Sequence, residues 1–453
     1  MFAFYDFETT GTSPDFDQPI QFAAILTDDD FKQVERIDIR CQLAAHILPA
    51  PWAMAVTGVT PEVLSDQSRP TWFEFTQQMA DIIERWAPAT WVGYNSIAFD
   101  EEFFRQSFYQ NLQPNLYLTQ FNGNNRLDMM KVVFSTHVLA QDALQWPLNG
   151  KGQRSFKLDQ LAPANGFTQH DAHDALGDVE ATIHIAKLIR DRAPEVWAEC
   201  LRNRDKHDVN ALLETGRPLR LIERFGAAPP RSYIGSFAGR NPDNPNSIGF
   251  FDLQLSDPEA LADGGDEVWV AAVSATPKLV RTVAVNKCPS PFEINGVMPE
   301  MVQRAEFLVN NPELRERIGG ALAGRYADGE EPGHVEQRMY SDFYTINDRR
   351  LLEQFQKVDW SDRLGIIERF QDIRLHQLGK RLIFLYQPNL LSDEQRKSME
   401  SAIQDRWLSN DPETPWMTIP KVAEQMMEIE DQGAAGSPEL AILQKYYRQF
   451  VNS

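Results

Sequence analysis

Two acidic residues, Asp6 and Glu8, stand two positions apart in the apolar segment that opens the chain. This segment predicts a β-strand, and side chains at positions i and i+2 of a strand point to the same face. Neighbouring carboxylates repel each other, and a divalent cation bound between them removes that repulsion. Gly11 predicts a turn just afterwards, so the acidic pair lies at the carboxyl end of the strand, where open α/β sheets place their sites.

Three later residues complete a candidate constellation. Asp100 ends the segment Asn-Ser-Ile-Ala-Phe-Asp (residues 95–100) at a predicted strand-to-helix junction. His173 and Asp178 lie five residues apart, and they converge if His173 precedes a helix and Asp178 lies one turn inside it. Taken singly, Asp100 is explained as a helix cap, His173 as a helix-entry residue bonded to the backbone, and Asp178 as a surface charge. Chance explains the ordered set of five poorly.

The chemistry that these residue types suit is phosphodiester hydrolysis. Two divalent cations about 3.5–4 Å apart can activate a water and shield the charge on the attacking and leaving oxygens. A ligand set of carboxylates without sulfur favours Mg²⁺, with Mn²⁺ as a substitute. A histidine such as His173 beside two cations can accept the proton of the water. The leading interpretation is therefore a metal-dependent nuclease.

The elements that must position these residues alternate between strands and helices up to about residue 192. The predicted secondary structure then changes twice. A mainly β segment follows, and from residue 340 the chain reads as helical. The predicted strands are 22–26, 34–39, 91–94, 248–253, 267–273 and 279–285, and the predicted helices are marked by apolar stripes over 72–86, 99–109, 127–138 and 175–189.

Composition indicates a globular protein of two to four domains, with 453 residues, 42% of them hydrophobic. No apolar run reaches the roughly 18 residues of a membrane span, and three scattered cysteines predict neither disulfides nor a zinc site, so a cytoplasmic protein is expected. The net charge of −21 argues against nucleic acid unless charge is segregated, and the sign does reverse locally between residues 187 and 231. For any single residue there, a solvated helix face explains the charge; the cluster suits a phosphate track.

The order Asp-x-Glu, Asn-x-x-x-Phe-Asp and His-x-x-x-x-Asp resembles the DEDDh branch of 3′→5′ exonucleases, and the segments at 56–61 and 172–179 match it as well. Within that branch the chain is most similar to bacterial exonuclease I, because the similarity continues through segments 204–207, 241–246, 286–289 and 381–386. The resemblance implies an α/β, ribonuclease H-like exonuclease domain (1–192), an SH3-like β-rich domain (193–338) and a helical C-terminal domain (339–453).

The resemblance also implies a function and a set of roles. The activity would be single-strand-specific 3′→5′ DNA hydrolysis that releases 5′-mononucleotides in DNA repair and recombination. The acidic tail of single-stranded DNA-binding protein would dock on the enzyme, with Arg315 or Arg317 as a candidate contact, and a monomer is expected. By position, the metal ligands would be Asp6, Glu8, Asp100 and Asp178, with His173 as general base.

Candidate substrate contacts are Glu8, Thr9 and Thr10 at the terminal nucleotide, and Lys157, Arg126, Arg204, Lys206 and His207 at phosphates. Two departures matter: Thr10 stands where the family has an aromatic residue, and Lys157 stands where it has an arginine, which puts base stacking and a bidentate phosphate contact in doubt.

Two alternatives remain open at the level of sequence. The same carboxylates could serve an RNA-directed 3′→5′ exoribonuclease, since only the pocket near the 2′ position distinguishes the two sugars. However, oligoribonucleases and ribonuclease T resemble only the first part of the chain. A non-catalytic nucleic-acid docking factor on a nuclease fold is disfavoured, because all four carboxylates are present.

Overall fold

A computed structural model describes residues 1–168, 174–226, 228–324, 332–431 and 438–451. Within these residues there are two five-stranded sheets and eighteen α-helices. No helix in these ranges is long and apolar enough to cross a membrane.

The first sheet has the strand order β3-β2-β1-β4-β5, so the strand that carries Asp6 and Glu8 is central. It runs antiparallel to β2 and parallel to β4, which in turn runs parallel to β5. Its strands are β1 (Phe2–Thr9), β2 (Pro19–Thr27), β3 (Gln33–Arg40), β4 (Thr90–Gly93) and β5 (Asn125–Asp128).

The alternation along β1 divides the core into two layers. Phe2 and Phe4 pack on one face, while Ala3, Tyr5 and Phe7 pack on the other. Asp6 and Glu8 continue the Phe2 and Phe4 face, which the long helix α7 covers. The helices of this part are α1 (Pro51–Thr57), α2 (Pro61–Ser65), α3 (Trp72–Trp86), α4 (Asp100–Gln110), α5 (Met129–Leu139), α6 (Leu158–Ala164), α7 (Ala175–Arg192), α8 (Pro194–Arg202) and α9 (Lys206–Glu214).

The second sheet is antiparallel with the order β10-β6-β7-β8-β9, and several helices pack beside it. This is the β-rich region expected after the first domain. Its elements are β6 (Leu219–Glu223), β7 (Arg231–Arg240), β8 (Ser247–Asp252), α10 (Asp266–Ser274), β9 (Val280–Ala284), β10 (Pro291–Glu293), α11 (Pro299–Asn310) and α12 (Pro312–Ala323).

One predicted strand of this region is wrong. Residues 267–273 were expected to form a strand, but they lie in α10. Trp269, Ala272 and Val273 are buried against the neighbouring helices, while Val270 is 52% exposed. The burial therefore follows the helical period of 3.6 residues, and this packing overrides the β propensity of valine.

The last part of the chain is helical, as expected, and returns to the first domain. Val422 and Met426 pack with Met54 of α1, and the Tyr447 hydroxyl donates to the Pro49 carbonyl over 2.7 Å. The helices are α13 (Ile346–Lys357), α14 (Trp360–Ile367), α15 (Ile373–Tyr386), α16 (Asp393–Leu408), α17 (Ile419–Ile429) and α18 (Pro438–Val451).

The other predicted elements are confirmed, with one further correction. Leu127 lies on β5 rather than on the helical stripe that it was assigned to, since the helix α5 begins only at Met129. The end of α7 at Arg192 coincides with the first predicted domain boundary. The division into 1–192, 193–338 and 339–453 itself stays a prediction.

Candidate active site and metal centre

The carboxyl end of β1 presents Asp6 and Glu8 side by side, as the sequence predicts. Their partners on β2 are Ala23 and Gln21, and the register shifts between Glu8 and Thr9, where the strand ends. Glu8 is buried and Asp6 is half-buried. The two side chains therefore share one face of the sheet, at the carboxyl end of its central strand.

Helix α7 brings a third carboxylate to this end of β1. Asp178 lies in the first turn of α7, which packs against β1 and β2. One carboxylate oxygen from each of Asp6, Glu8 and Asp178 lies within 4.8 Å of the others. Three hard oxygen donors at this spacing could hold a divalent cation.

Asp100 supplies the fourth carboxylate from the first position of α4. It is 2% exposed, and its Oδ1 has no hydrogen-bond partner among the described residues. Its charge raises the pKa of both Asp6 and Glu8, so it lies near them, although it is not part of the 4.8 Å cluster. A buried carboxylate oxygen without a partner fits a position that a cation occupies.

The turn that delivers Asp100 is held by a residue that the sequence analysis missed. Asp128, buried at the end of β5, accepts hydrogen bonds from the backbone N–H groups of Asn95 (3.0 Å), Ile97 (3.3 Å) and Met130 (3.0 Å). Asn95 adopts a left-handed φ of 64° at this turn. A sequence signal existed, because aspartate is a favoured N-cap residue and Asp128 stands directly before the helix α5, which it caps.

The electrostatics of the site disfavour four ionised carboxylates without a counter-charge. Burial and then Asp178, Asp174 and Asp100 raise the pKa of Glu8 to about 9. Burial, followed by the neighbouring carboxylates, also raises the pKa of Asp6 well above its usual value. Burial raises the pKa of Asp100 too, although N–H groups of its own backbone and of Phe7 oppose the shift. Bound cations would restore the ionised forms.

Asp174, just before α7, is a second residue that the sequence analysis did not single out. Its carboxylate forms an ion pair with the Arg40 guanidinium of β3 (2.7 Å) and accepts a hydrogen bond from the Gln21 side-chain amide of β2 (3.0 Å). These contacts tie the start of α7 to the sheet and thereby fix the approach of Asp178. The residues are 134 and 153 positions apart in sequence, so no local pattern announces the pairing. His173, the predicted general base, lies outside the described residues.

The two threonines after Glu8 are engaged within the protein. The Thr9 hydroxyl donates to the Gly11 carbonyl over 2.6 Å. Thr10 is fully buried, its hydroxyl donates to Asp17 over 3.2 Å, and it accepts from the Gln18 N–H over 2.9 Å. Contact with a terminal nucleotide stays a prediction for both residues. The Thr10 hydroxyl stabilises the loop that ends at Gln18.

Four of the five predicted phosphate contacts meet in one cleft of about 480 Å³ between the first domain and the second sheet. Arg126 is committed to Glu101 (2.9 Å) and to the Asn286 carbonyl (2.8 Å). The aromatic rings of Tyr117 and Phe121 line the same cleft with their centroids 6.4 Å apart. The four predicted residues are Arg126, Arg204, Lys206 and His207. The fifth, Lys157, lies apart from this cleft, exposed just before α6.

Comparison with known proteins bears on this geometry. The profile of the family described as Exonuclease matches residues 3–186, and that of the Exonuclease I C-terminal domain matches residues 333–452. Exodeoxyribonuclease I of Buchnera aphidicola subsp. Acyrthosiphon pisum (strain APS) is 33% identical over 410 residues, which cover 85% of this chain and 96% of the relative. The chain belongs to the exodeoxyribonuclease I family. Its Escherichia coli (strain K12) member is 29% identical over 434 residues, 90% of this chain and 88% of that protein.

The solved structures agree with the family over the full chain. E. coli exonuclease I in complex with a dA16 oligonucleotide matches with a TM-score of 0.85 and 26% identity, and it covers 100% of this chain and 99% of that one. The predicted fold class and the predicted 3′→5′ exonuclease activity on single-stranded DNA are confirmed. The family assignment decides against the RNA-directed and the non-catalytic alternatives.

Proposed function

We propose that this exonuclease cleaves single-stranded DNA with two Mg²⁺ ions held by Asp6, Glu8, Asp100 and Asp178. The observation that carries the proposal is the cluster of three carboxylate oxygens within 4.8 Å, next to the unpartnered buried oxygen of Asp100. A related structure is described as the zinc-ion-bound form of an E. coli ExoI–ssDNA complex. Oxygen donors alone favour Mg²⁺ over zinc, and Mn²⁺ would substitute.

The protein groups divide the work of hydrolysis. Bound cations would supply Lewis-acid charge at the scissile phosphate and lower the pKa of a coordinated water. Asp6 and Glu8 fix one side of the site from the rigid central strand, while Asp178 approaches from α7 and Asp100 from α4. His173, five residues before Asp178, is proposed as the general base.

We place the path of the DNA in the cleft that contains Arg204, Lys206 and His207. Arg126 of β5 pairs with Trp91 of β4, and Trp91 pairs with Ala3 of β1. Ala3 precedes Glu8 by five residues on the same strand. At roughly 3.3 Å per residue, the cleft lies about 16 Å from Glu8 along the strands. Phosphates bound there therefore belong to nucleotides upstream of the 3′ end, and Tyr117 and Phe121 offer rings for base stacking.

The acidic tail of single-stranded DNA-binding protein is the proposed protein partner. One related structure is described as SSB/Exonuclease I in complex with an inhibitor. Of the two candidate contacts, Arg317 already binds Asp266 (3.0 Å) and two backbone carbonyls. Arg315 stacks on Phe237 at 5.6 Å and is half-buried. Arg315 is therefore the better candidate for the carboxylates of the tail.

We further propose that the protein is a cytoplasmic monomer. Its three free, buried cysteines suit a reducing compartment.

Counting bound cations tests the two-metal proposal without reference to activity. Titration of the full chain with Mn²⁺, followed by electron paramagnetic resonance, should give two bound ions for the wild type and at most one for Asp178→Ala. The exposed residue Glu84 provides a matched control, and Glu84→Gln should keep both ions. A wild-type chain that binds no Mn²⁺, or an Asp178→Ala chain that still binds two, would overturn the proposal.

A further inference from the structure

The loop from Gly11 to Asp17, here called the β1–β2 loop, is joined rigidly to the end of β1, the strand that carries Asp6 and Glu8. Thr10 and Gln18 close its base, with Thr10 N–H donating to the Gln18 carbonyl over 2.9 Å. Asp17 accepts from the Ser13 N–H (2.9 Å) inside the loop. A Cβ at Gly11 would lie 2.4 Å from the Asp17 carboxylate, so the loop is packed tightly. A shift of the loop would therefore move Thr9 and Glu8.

Residues from the C-terminal part of the chain pack against the outer side of this loop. Phe16 is 7% exposed, and its ring meets those of His334 (5.9 Å between centroids) and Trp416 (5.6 Å). The Arg406 guanidinium of α16 lies 5.2 Å from the Phe16 ring and 4.5 Å from the Trp416 ring. The Trp416 indole N–H donates to the Arg406 carbonyl over 2.8 Å. Phe16 thus sits in an aromatic and cationic box that the first domain does not itself build.

Arg406 is held in turn by a buried carboxylate. Glu336 Oε1 accepts from Arg406 Nη1 and from Arg381 Nη1, both at 2.8 Å, and Glu336 is 5% exposed. Burial raises the pKa of Glu336, but the two arginines outweigh this effect and lower the pKa to about 2. The carboxylate therefore stays ionised. A carboxylate shared by two guanidinium groups fixes both in a defined geometry.

The same cluster reaches the helix that carries Asp100. Arg381 Nη2 donates to Gln110 Oε1 over 2.9 Å, and Gln110 Nε2 donates to the Asp15 carbonyl of the loop over 3.0 Å. Gln110 lies on α4, which begins at Asp100. One buried network therefore touches both the loop behind Glu8 and the helix behind Asp100.

We propose that Arg406 is a positioning residue, through which the helical C-terminal domain sets the geometry of the metal-binding carboxylates at the end of β1. The inference rests on the proposed role of Glu8 as a metal ligand. Among the described residues, Arg406 contacts neither the four proposed metal ligands nor the lining of the cleft; it acts through Phe16 and the β1–β2 loop. Because a displacement of about 1 Å at a catalytic group can lower a rate by about a hundredfold, a loosened loop should reduce turnover measurably.

The test compares two arginines of the same domain in similar surroundings. Arg363 also stacks on aromatic rings, at 4.0 Å from Trp360 and 4.5 Å from Phe73, but among the described residues its contacts do not include the β1–β2 loop. Arg406→Met and Arg363→Met are made in the full chain, and Phe16→Leu attacks the same contact from the loop side. Measured quantities are the Mn²⁺ dissociation constant by calorimetry without DNA, and kcat and KM on a 5′-labelled single-stranded oligonucleotide.

Arg406→Met and Phe16→Leu should each lower kcat about tenfold or more and weaken Mn²⁺ binding severalfold, with KM for DNA little changed. Arg363→Met should leave all three values at the wild-type level. If Arg406→Met does not fold, Phe16→Leu alone decides. Wild-type values for the Phe16 and Arg406 variants would overturn the inference while leaving the metal site intact. A wild-type chain that binds no Mn²⁺ would instead overturn the proposed function.

Discussion

Removing the charge of Glu8 should make the cation-free protein more stable, although it removes a metal ligand. The raised pKa of this carboxyl, about 9 against an ordinary 4.5, means that the folded state resists its ionisation. As pH rises from about 4.5, the unfolded chain ionises while the folded chain keeps the proton. Folding stability from this group therefore falls until the pH reaches about 9.

The magnitude at pH 7 follows from the interval between pH 4.5 and pH 7, about 2.5 pH units at 1.36 kcal/mol each, or about 3 kcal/mol at most. Glu8→Gln has no charge to suppress and keeps the shape of the side chain. In EDTA at pH 7 it should therefore be more stable than the wild type by up to about 3 kcal/mol.

Divalent cations should narrow this difference in stability, because they favour the wild type. A ligand at a hundred times its dissociation constant stabilises a folded protein by about 2.7 kcal/mol, and only the wild type retains the full site. The assay is urea unfolding of both chains from pH 5 to pH 9, in EDTA and in excess Mg²⁺, with Glu84→Gln as the surface control. The reasoning is refuted if Glu8→Gln in EDTA is no more stable than the wild type, or if Mg²⁺ stabilises both chains equally.

Three further predictions concern the site and the cleft. Asp178→Ala should abolish exonuclease activity while circular dichroism and the unfolding midpoint in EDTA stay close to wild type; retained wild-type activity would place the metal site elsewhere. Asp128→Asn should destabilise the protein by about 1–3 kcal/mol and lower kcat, because one of three backbone N–H groups loses its acceptor near Asp100, and an unchanged urea midpoint would contradict this. Lys206→Ala should reduce the slope of log affinity against log salt for single-stranded DNA by about 0.7, measured by fluorescence anisotropy, whereas an identical slope would remove Lys206 from the DNA path.

Sequence reasoning succeeded where a feature is local. The i, i+2 spacing of Asp6 and Glu8 is a property of one strand, and the alternation of Phe4 and Tyr5 across the sheet confirms it. The start of α4 at Asp100 also follows from its immediate surroundings.

The features that sequence reasoning missed depend on distant partners. Asp174 and Arg40 are 134 residues apart, and the interface that buries Phe16 is built by Arg406 and Trp416 from the far end of the chain. The buried ion pair of Arg126 with Glu101 of α4 was not foreseen either, while the phosphate contact of Arg126 stays a prediction. Such pairings follow from how distant elements and domains pack against one another, which no spacing along the sequence encodes.

The most direct test of the account is to incubate the full chain with 5′-labelled single-stranded DNA, duplex DNA and single-stranded RNA, in Mg²⁺ and in EDTA. A ladder that shortens from the 3′ end is expected on single-stranded DNA alone, absent in EDTA and absent for Asp178→Ala. Degradation that persists in EDTA, or that persists in Asp178→Ala, would contradict the assignment of these carboxylates as the metal-binding catalytic centre.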